Sequence, residues 1–299
     1  MINKFPQFTE LELQHRSTVE LITTKFEVYS DFNFTSLFCW GTDDETKIAI
    51  LNGNLIIQLP DYQDGHSVFS MLGISKVDES IKTLMDTFER MTLVPEIVID
   101  NIRQKSKYII SEDRDNFDYI YDLADLSKLS GYRYKKLRNK KNAFLKAHEN
   151  RDLKISTLTE LGASSLDSFR SIMDLWAKES GKSEADITSE QTALFKLLKN
   201  QNELELIFTE LYVDGQLVAF SINEVIGSKN AICHFEKALK SHHEYIYPFL
   251  IHEVAKNMLA AGCKWMNWEQ DLGLEGLRKS KLSYRPVRML KKYTISLKK

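Results

Sequence analysis

Two stretches of alternating apolar residues are each broken by a two-residue turn signal. Residues 47–59, KIAILNGNLIIQL, hold Asn52-Gly53 between apolar runs, and residues 207–225, IFTELYVDGQLVAFSINEV, hold Asp214-Gly215 in the same way. Type I′ turns need positive φ at both central residues, which Asn-Gly and Asp-Gly supply, so each stretch predicts a tight β-hairpin. Beyond the first hairpin the pattern predicts a strand at 68–72, a helix at 78–90, a strand at 96–99, a helical stretch at 102–109 and a strand at 117–122. Beyond the second it predicts a strand at 231–236, a helix at 247–261, a strand at 265–269, a helix at 274–282 and a strand at 287–296. Leu250, Val254, Met258 and Ala261 share one face of that longer helix, and Gly262 ends it.

Hairpin, strand, helix, strand, helix, strand therefore occurs twice. At 299 residues the chain is long enough for two cores. The expected organisation is two copies of one α/β unit, 1–128 and 129–299, divided near residues 126–130. A mostly antiparallel sheet followed by strand–helix–strand resembles the layout of the GNAT acyltransferase fold. The expected fold class is thus α/β (α+β), as two tandem GNAT-like domains with mixed, mostly antiparallel sheets flanked by helices. In that fold two neighbouring strands splay, and a cofactor pyrophosphate meets the N-terminus of the central helix.

Charge changes this picture locally. The net charge is −2, so no general attraction to nucleic acid or membrane is expected. Residues 131–146 and 278–299 nevertheless hold 7 and 9 of the 40 basic residues and no acid, leaving 24 bases against 42 acids elsewhere. An anionic ligand near these two segments is the natural inference. No run of about 18 apolar residues is present, and the N-terminus lacks the apolar core of a signal peptide. Cys39, Cys233 and Cys263 are few, odd in number and far apart, which fits a reducing cytoplasmic location with neither disulfide framework nor metal site.

Three clusters carry candidate chemistry. In the basic segment Tyr134, Leu137, Phe144 and Leu145 form an apolar stripe at helical spacing, interrupted by Lys141. Lys135, Arg138, Asn139, Asn142 and Lys146 form another face, with Lys136 and Lys140 beside it. Guanidinium forks and ammonium charges suit phosphate oxygens, so Lys135, Lys136, Arg138, Asn139, Lys140 and Asn142 are candidate donor-phosphate contacts. The plainer alternative is a solvated helix surface. In the second cluster a strand ending in Glu269-Gln270-Asp271 leads through Gly273 into a helix with Arg278, Lys279 and Lys281. Glu269 and Asp271 are candidate general bases, and the three cations are candidate phosphate or oxyanion contacts; a charged turn with a surface helix is the alternative. The third cluster is His234-Phe235-Glu236-Lys237 at a strand end, where alternation places His234 and Glu236 on one face. Glu236 and Lys237 join the catalytic candidates, although the two can simply pair with each other. No nucleophile elbow, Walker loop, Rossmann glycine pattern or zinc spacing occurs. Tyr245, Tyr247, Trp265 and Trp268 are expected as core or pocket wall.

The strings YRYKKLRNKKNAFLK (132–146), HFEKA (234–238) and NWEQDLGLEGLRKSKLSYRP (267–286), with YSDFNFTSLFCW (29–40), resemble the phosphatidylglycerol lysyltransferase C-terminal-domain-like family over most of the chain. The resemblance implies a tandem GNAT-like fold related to enzymes that move an aminoacyl group from aminoacyl-tRNA to a lipid or peptidoglycan precursor. Full lipid-modifying members carry a large transmembrane portion that is not found here, so a flippase role is not expected. Acyl-CoA-dependent GNAT enzymes carry an Arg/Gln-x-x-Gly-x-Gly/Ala loop before the central helix, whereas 237–247, KALKSHHEYIY, has no glycine. The expectation is transfer of an acyl, and more specifically aminoacyl, group from a phosphate-bearing donor, either aminoacyl-tRNA or acyl-CoA. The acceptor would be an amine or hydroxyl on a small molecule or lipid head group, with no further cofactor. The alternatives are an acyl-CoA-dependent N-acyltransferase and a catalytically degenerate GNAT-like binding module.

Overall fold

A computed structural model describes residues 1–41, 46–60, 67–181 and 183–298. The chain forms two compact units, one of Met1–Asp118, Gln270–Arg278 and Met289–Lys299 and the other of Tyr119–Glu269 and Lys279–Arg288.

The elements of the first half are β1 (Thr9–Glu10), α1 (Arg16–Thr23), α2 (Phe34–Trp40), β2 (Lys47–Leu51), β3 (Asn54–Pro60), β4 (Ser67–Leu72), α3 (Val77–Met85), β5 (Arg90–Pro95), α4 (Glu96–Asp100), β6 (Tyr108–Glu112) and β7 (Asp118–Asp122). The expected hairpin is β2–β3, with Asn52 at φ 54° and Gly53 at φ 84°. Strands β1 to β4 form one antiparallel sheet in that order. Two expectations fail between 96 and 109. Residues 96–99 are α4 rather than a strand, because Pro95, which has no N–H for a ladder, closes β5 and caps the helix. Residues 102–109 hold only a short 3₁₀ turn, Lys105–Lys107, before β6 begins. Helix α3 also ends at Met85, short of the expected 90. Ile56, Met71, Val77, Ile81, Val94 and Val98 build the core of this unit, with Phe69 stacked on Phe88 at 3.6 Å.

The second half contributes α5 (Leu123–Lys128), α6 (Lys135–Ala147), β8 (Leu153–Leu158), α7 (Ala163–Ser180), α8 (Glu184–Lys199), β9 (Leu206–Val213), β10 (Gln216–Ile226), β11 (Asn230–Ala238), α9 (Ile246–Ala260), β12 (Trp265–Asn267), α10 (Glu275–Ser283), β13 (Arg288–Leu290) and β14 (Lys292–Leu297). The second hairpin is β9–β10, with Asp214 at φ 50° and Gly215 at φ 78°. Helix α9 ends as expected: Gly262 is left-handed at φ 91°, and the amides of Gly262 and Cys263 donate to the carbonyls of Leu259 and Met258. The expected single strand over 287–296 is split into β13 and β14. A seven-stranded sheet runs β13-β7-β12-β11-β10-β9-β8, in which β11 and β12 pair parallel.

The repeat is present with one exchange. Strand β14, which ends the second repeat, lies between β5 and β6 in the first unit, while β7, which ends the first repeat, lies between β13 and β12. Lys292 fixes β14 in place. Its fully buried ammonium pairs with Asp31 and, at 2.8 Å, with Asp118; Ser30 donates to Asp118, and Gln270 donates to Asp31. Burial, with Asp118 nearby, pushes the Asp31 carboxyl up to about 6 against the opposing pull of Lys292.

Candidate functional site

Strand β11 is partnered by β12 only through Asn230, Ala231 and Ile232, opposite Trp265, Met266 and Asn267. β12 then ends and β11 runs on to Ala238, so the two diverge. Glu236 lies on this divergent stretch. Just past β12, the Trp268 indole reaches across and donates to Glu236 Oε2 at 3.3 Å. The Tyr121 ring meets Trp268 edge-on at 5.4 Å, and its hydroxyl donates 2.8 Å to the Lys281 carbonyl. Lys281 is half-buried, donates its ammonium to the Trp268 carbonyl and lies over the Tyr119 ring. Tyr247 and Tyr284 are also within electrostatic reach of Glu236, whose negative charge, after burial, holds their phenols above the usual range.

Glu236 is half-buried. Burial pushes its carboxyl up to about 7, opposed by the Trp268 hydrogen bond and by the positive charges of Lys281 and Lys237. A carboxylate poised near neutrality is suited to proton transfer.

His234 is not on the same face. Ile222 faces Phe235 but Asn223 faces Cys233, so β11 carries one extra residue at His234, a β-bulge. The bulge turns His234 to Glu224, with Nε2 and Oε2 3.0 Å apart and both side chains buried. Glu236 instead lies opposite Ser221, on the face of Cys233. Glu236 and Lys237 do not pair either. The Lys237 ammonium is buried against Glu190 of α8 and lies 4.0 Å from the centre of the Trp176 ring of α7.

The Glu269–Gly273 turn separates the other two acidic candidates. Glu269 is half-buried and takes φ 53°, a conformation costly for a side-chain-bearing residue, and its amide donates to Asn267 Oδ1 at 2.7 Å. Asp271, in the first unit, is fully buried. Its Oδ2 accepts from Arg114 and from Arg278 Nε, each at 3.0 Å, and its Oδ1 accepts from Arg278 Nη2 at 2.7 Å and the Gly273 amide at 3.0 Å. Arg278 also binds Asp115 at 2.6 Å. Asp271 and Arg278 thus form an anchor for the turn, with both carboxylate oxygens occupied. Lys279 is exposed.

In α6 the buried stripe is Tyr134, Leu137 and Phe144, continued by His148; Leu145 is exposed rather than part of it. Phe144 stacks on Phe249 of α9 at 4.6 Å and on His148 at 4.3 Å. Lys135, Lys136, Asn139 and Asn142 are exposed, and Lys140 lies 5.6 Å from the Tyr245 ring centre. Arg138 is half-buried and donates to the carbonyls of Leu129 and Gly131, which steadies the entry to the helix. No side chain caps the helix and no acid lies in its first turn, where Lys135 and Lys136 stand against the helix dipole. That arrangement is locally unfavourable and leaves the end strongly attractive to anions.

Helices α7 and α8, which bring Trp176 and Glu190 to β11, have no counterpart in the predicted order of elements. Glu190 had one signal: a lysine at a buried strand end needs a counter-charge. Among the described residues there is no cluster of three or more His, Cys, Asp or Glu that would hold a metal, and no helix is long and apolar enough to cross a membrane.

The fold is shared with proteins of known structure. A crystal structure of a conserved protein of unknown function from Bacteroides thetaiotaomicron is 27% identical, with TM-score 0.81 over 100% of both chains. The structure of L-PGS from Bacillus licheniformis is 14% identical, with TM-score 0.63 over 99% of this chain and 94% of that one. A crystal structure of FemX is 8% identical, with TM-score 0.58 over 98% and 97% of the two chains. The fold is tandem and GNAT-like, as expected, and fold and family are those of lysylphosphatidylglycerol-synthase-like aminoacyltransferases. The family described as phosphatidylglycerol lysyltransferase, C-terminal, matches residues 24–296, and the chain belongs to it.

Proposed function

We propose that the second unit transfers an aminoacyl group from a phosphate-bearing donor to an amine or hydroxyl acceptor, with Glu236 as general base. The single observation behind this is the Glu236 carboxyl, poised near neutrality where β11 and β12 diverge and held by Trp268. Glu236 takes the proton from the acceptor N–H or O–H as that atom attacks the donor carbonyl carbon. The tetrahedral intermediate then collapses, the donor C–O or C–S bond breaks, and the proton passes from Glu236 to the leaving oxygen or sulfur. No covalent enzyme intermediate is needed, because the donor carbonyl is already activated. Lys281, close to Glu236, supplies positive charge for the developing oxyanion. Lys135, Lys136, Lys140, Asn139 and Asn142 hold donor phosphates on α6, whose stripe rests on α9, the helix that also carries Tyr247 to Glu236. Glu269 is kept as a residue that orients the acceptor, while Asp271, Arg278 and Lys237 support the scaffold.

The test offers lysyl-tRNA carrying labelled lysine to phosphatidylglycerol vesicles and, separately, to free amines. Transfer by the wild-type chain, lowered about 100-fold or more in Glu236→Gln, is the expected result. Transfer unchanged in that variant removes Glu236 from the chemistry. Tight tRNA binding with no transfer to any acceptor favours the binding-module alternative.

A further inference from the structure

The last residue of β11 turns an amide into the gap beside the strand. Leu239 N–H donates to the Val218 carbonyl of β10, so the preceding amide, that of Ala238, points to the opposite edge. That is the edge on which β12 pairs only as far as Ile232. The Ala238 amide donates there not to a strand but to the Tyr247 hydroxyl, at 3.2 Å, which α9 brings in from its first turn. The phenol oxygen accepts a second bond from the side chain of Trp176 on α7, whose indole N–H is a donor only. Trp176 is itself held by Lys237, whose ammonium lies 4.0 Å from the centre of its ring and pairs with Glu190 of α8. With two N–H groups donating to its oxygen, the hydroxyl is left to donate its own proton. Among the described residues none accepts that proton; Glu236 acts on the phenol through its charge.

We infer that the Tyr247 hydroxyl is the oxyanion contact of the second unit, donating its hydrogen bond to the carbonyl oxygen of the transferred group in the gap between β11 and β12. This deepens the transferase role proposed for that unit and rests on it. As the acceptor adds to the carbonyl carbon, the C=O π electrons move onto oxygen, and the hydroxyl bond shortens to meet the new charge; no proton leaves Tyr247. The two N–H donors on the phenol oxygen polarise its O–H and strengthen that donation. Burial and the Glu236 charge hold the phenol above its usual range, so it stays protonated, as a hydrogen-bond donor must. Lys281, whose ammonium meets the Trp268 carbonyl, adds charge nearby, while Tyr247 adds the directed bond. The helices α7 and α8 then have a task, since Trp176 and Glu190 fix the direction in which the hydroxyl points.

The test compares two unreactive mimics on the same tRNA, a 3′-lysyl amide with a planar carbonyl and its phosphonate counterpart with a tetrahedral, anionic centre. Binding of each to the full wild-type chain, Tyr247→Phe and Trp176→Phe is measured, and the ratio of the two affinities isolates the reacting centre from the RNA. Both variants keep their rings, and unchanged unfolding midpoints confirm that they fold. The wild-type chain is expected to prefer the phosphonate by about 100-fold, Tyr247→Phe to lose that preference, and Trp176→Phe, which removes only the positioning N–H, to lose about tenfold of it. In transfer assays Tyr247→Phe should lower kcat by about 10²–10³ and leave KM within about threefold. A wild-type chain with no preference for the phosphonate, or a Tyr247→Phe chain that keeps it, overturns the assignment. If the preference vanishes in Tyr247→Phe while no acceptor is ever aminoacylated, the oxyanion contact stands and the transfer reaction fails on its own. If transfer depends on Glu236 but runs at the wild-type rate in Tyr247→Phe, the reaction stands and Tyr247 has no part in it.

Discussion

Glu236→Gln is predicted to make the protein more stable while removing its activity, and the size of the gain follows from the carboxyl's surroundings. Burial lifts Glu236 from an ordinary value of 4.5 to about 7. Below pH 4 the folded and unfolded chains both hold this proton, and the group contributes nothing. As pH rises from about 4.5 to about 7 the unfolded chain releases the proton and the folded chain keeps it, so unfolding becomes easier. At about 1.36 kcal/mol per pH unit over that interval, the ionisable group costs roughly 3 kcal/mol by pH 8. Glutamine keeps an oxygen for the Trp268 indole and has no charge to desolvate. The variant should therefore match wild type near pH 4 and exceed it by up to about 3 kcal/mol at pH 8. Urea unfolding at a series of pH values, followed by tryptophan fluorescence, measures this, because Trp176, Trp265 and Trp268 all lie in the second unit. A stability difference between the two proteins that does not change with pH would falsify the electrostatic account of Glu236. So would a variant less stable than wild type at pH 8.

In the wild-type chain, transfer is expected to rise with pH through about 7 as Glu236 ionises, and a pH–rate profile flat across that range speaks against it as the base. Lys292→Met, which leaves Asp31 and Asp118 buried without their cation, is expected to cost about 3–5 kcal/mol in thermal or urea unfolding; a loss under about 1 kcal/mol shows that the cluster is not a charged anchor. Lys135→Glu with Lys136→Glu should weaken tRNA binding sharply while each substitution adds about 0.3–1 kcal/mol to stability by complementing the helix dipole, so filter binding and unfolding should move in opposite senses. Asp271→Asn should lower the unfolding midpoint yet leave the rate of correctly folded protein within about threefold, since Asp271 is assigned to anchoring rather than to proton transfer.

The parts of the fold that depend on local chemistry were legible in the sequence. Asn52-Gly53, Asp214-Gly215 and Gly262 each demand positive φ, and each ends or turns its element where expected. The run around 96–99 misled because β-branched residues suit both a strand and a buried helix, and Pro95 had already closed β5. Glu236 was legible as a candidate but its face was not: a one-residue bulge at His234 leaves no mark in the alternation of side chains. Asp271 and Glu269 look equivalent two residues apart, and only the folded turn separates a carboxylate saturated by Arg114 and Arg278 from one at a strained backbone position. The partner of Lys237 is 47 residues away in sequence, beyond any local pattern.

The exchanged strands bear on how the chain is made. During synthesis from the N-terminus, β5 and β6 leave the ribosome early, but the strand that separates them is β14, near the end of the chain. The first unit must therefore wait with two unjoined sheet edges and with Asp31 and Asp118 lacking Lys292, while β7 finds its neighbours in a sheet completed by later residues. Nascent chains released before β14 should expose those edges to chaperones and proteases, and cutting the gene between the two repeats should yield two fragments that are soluble only when produced together.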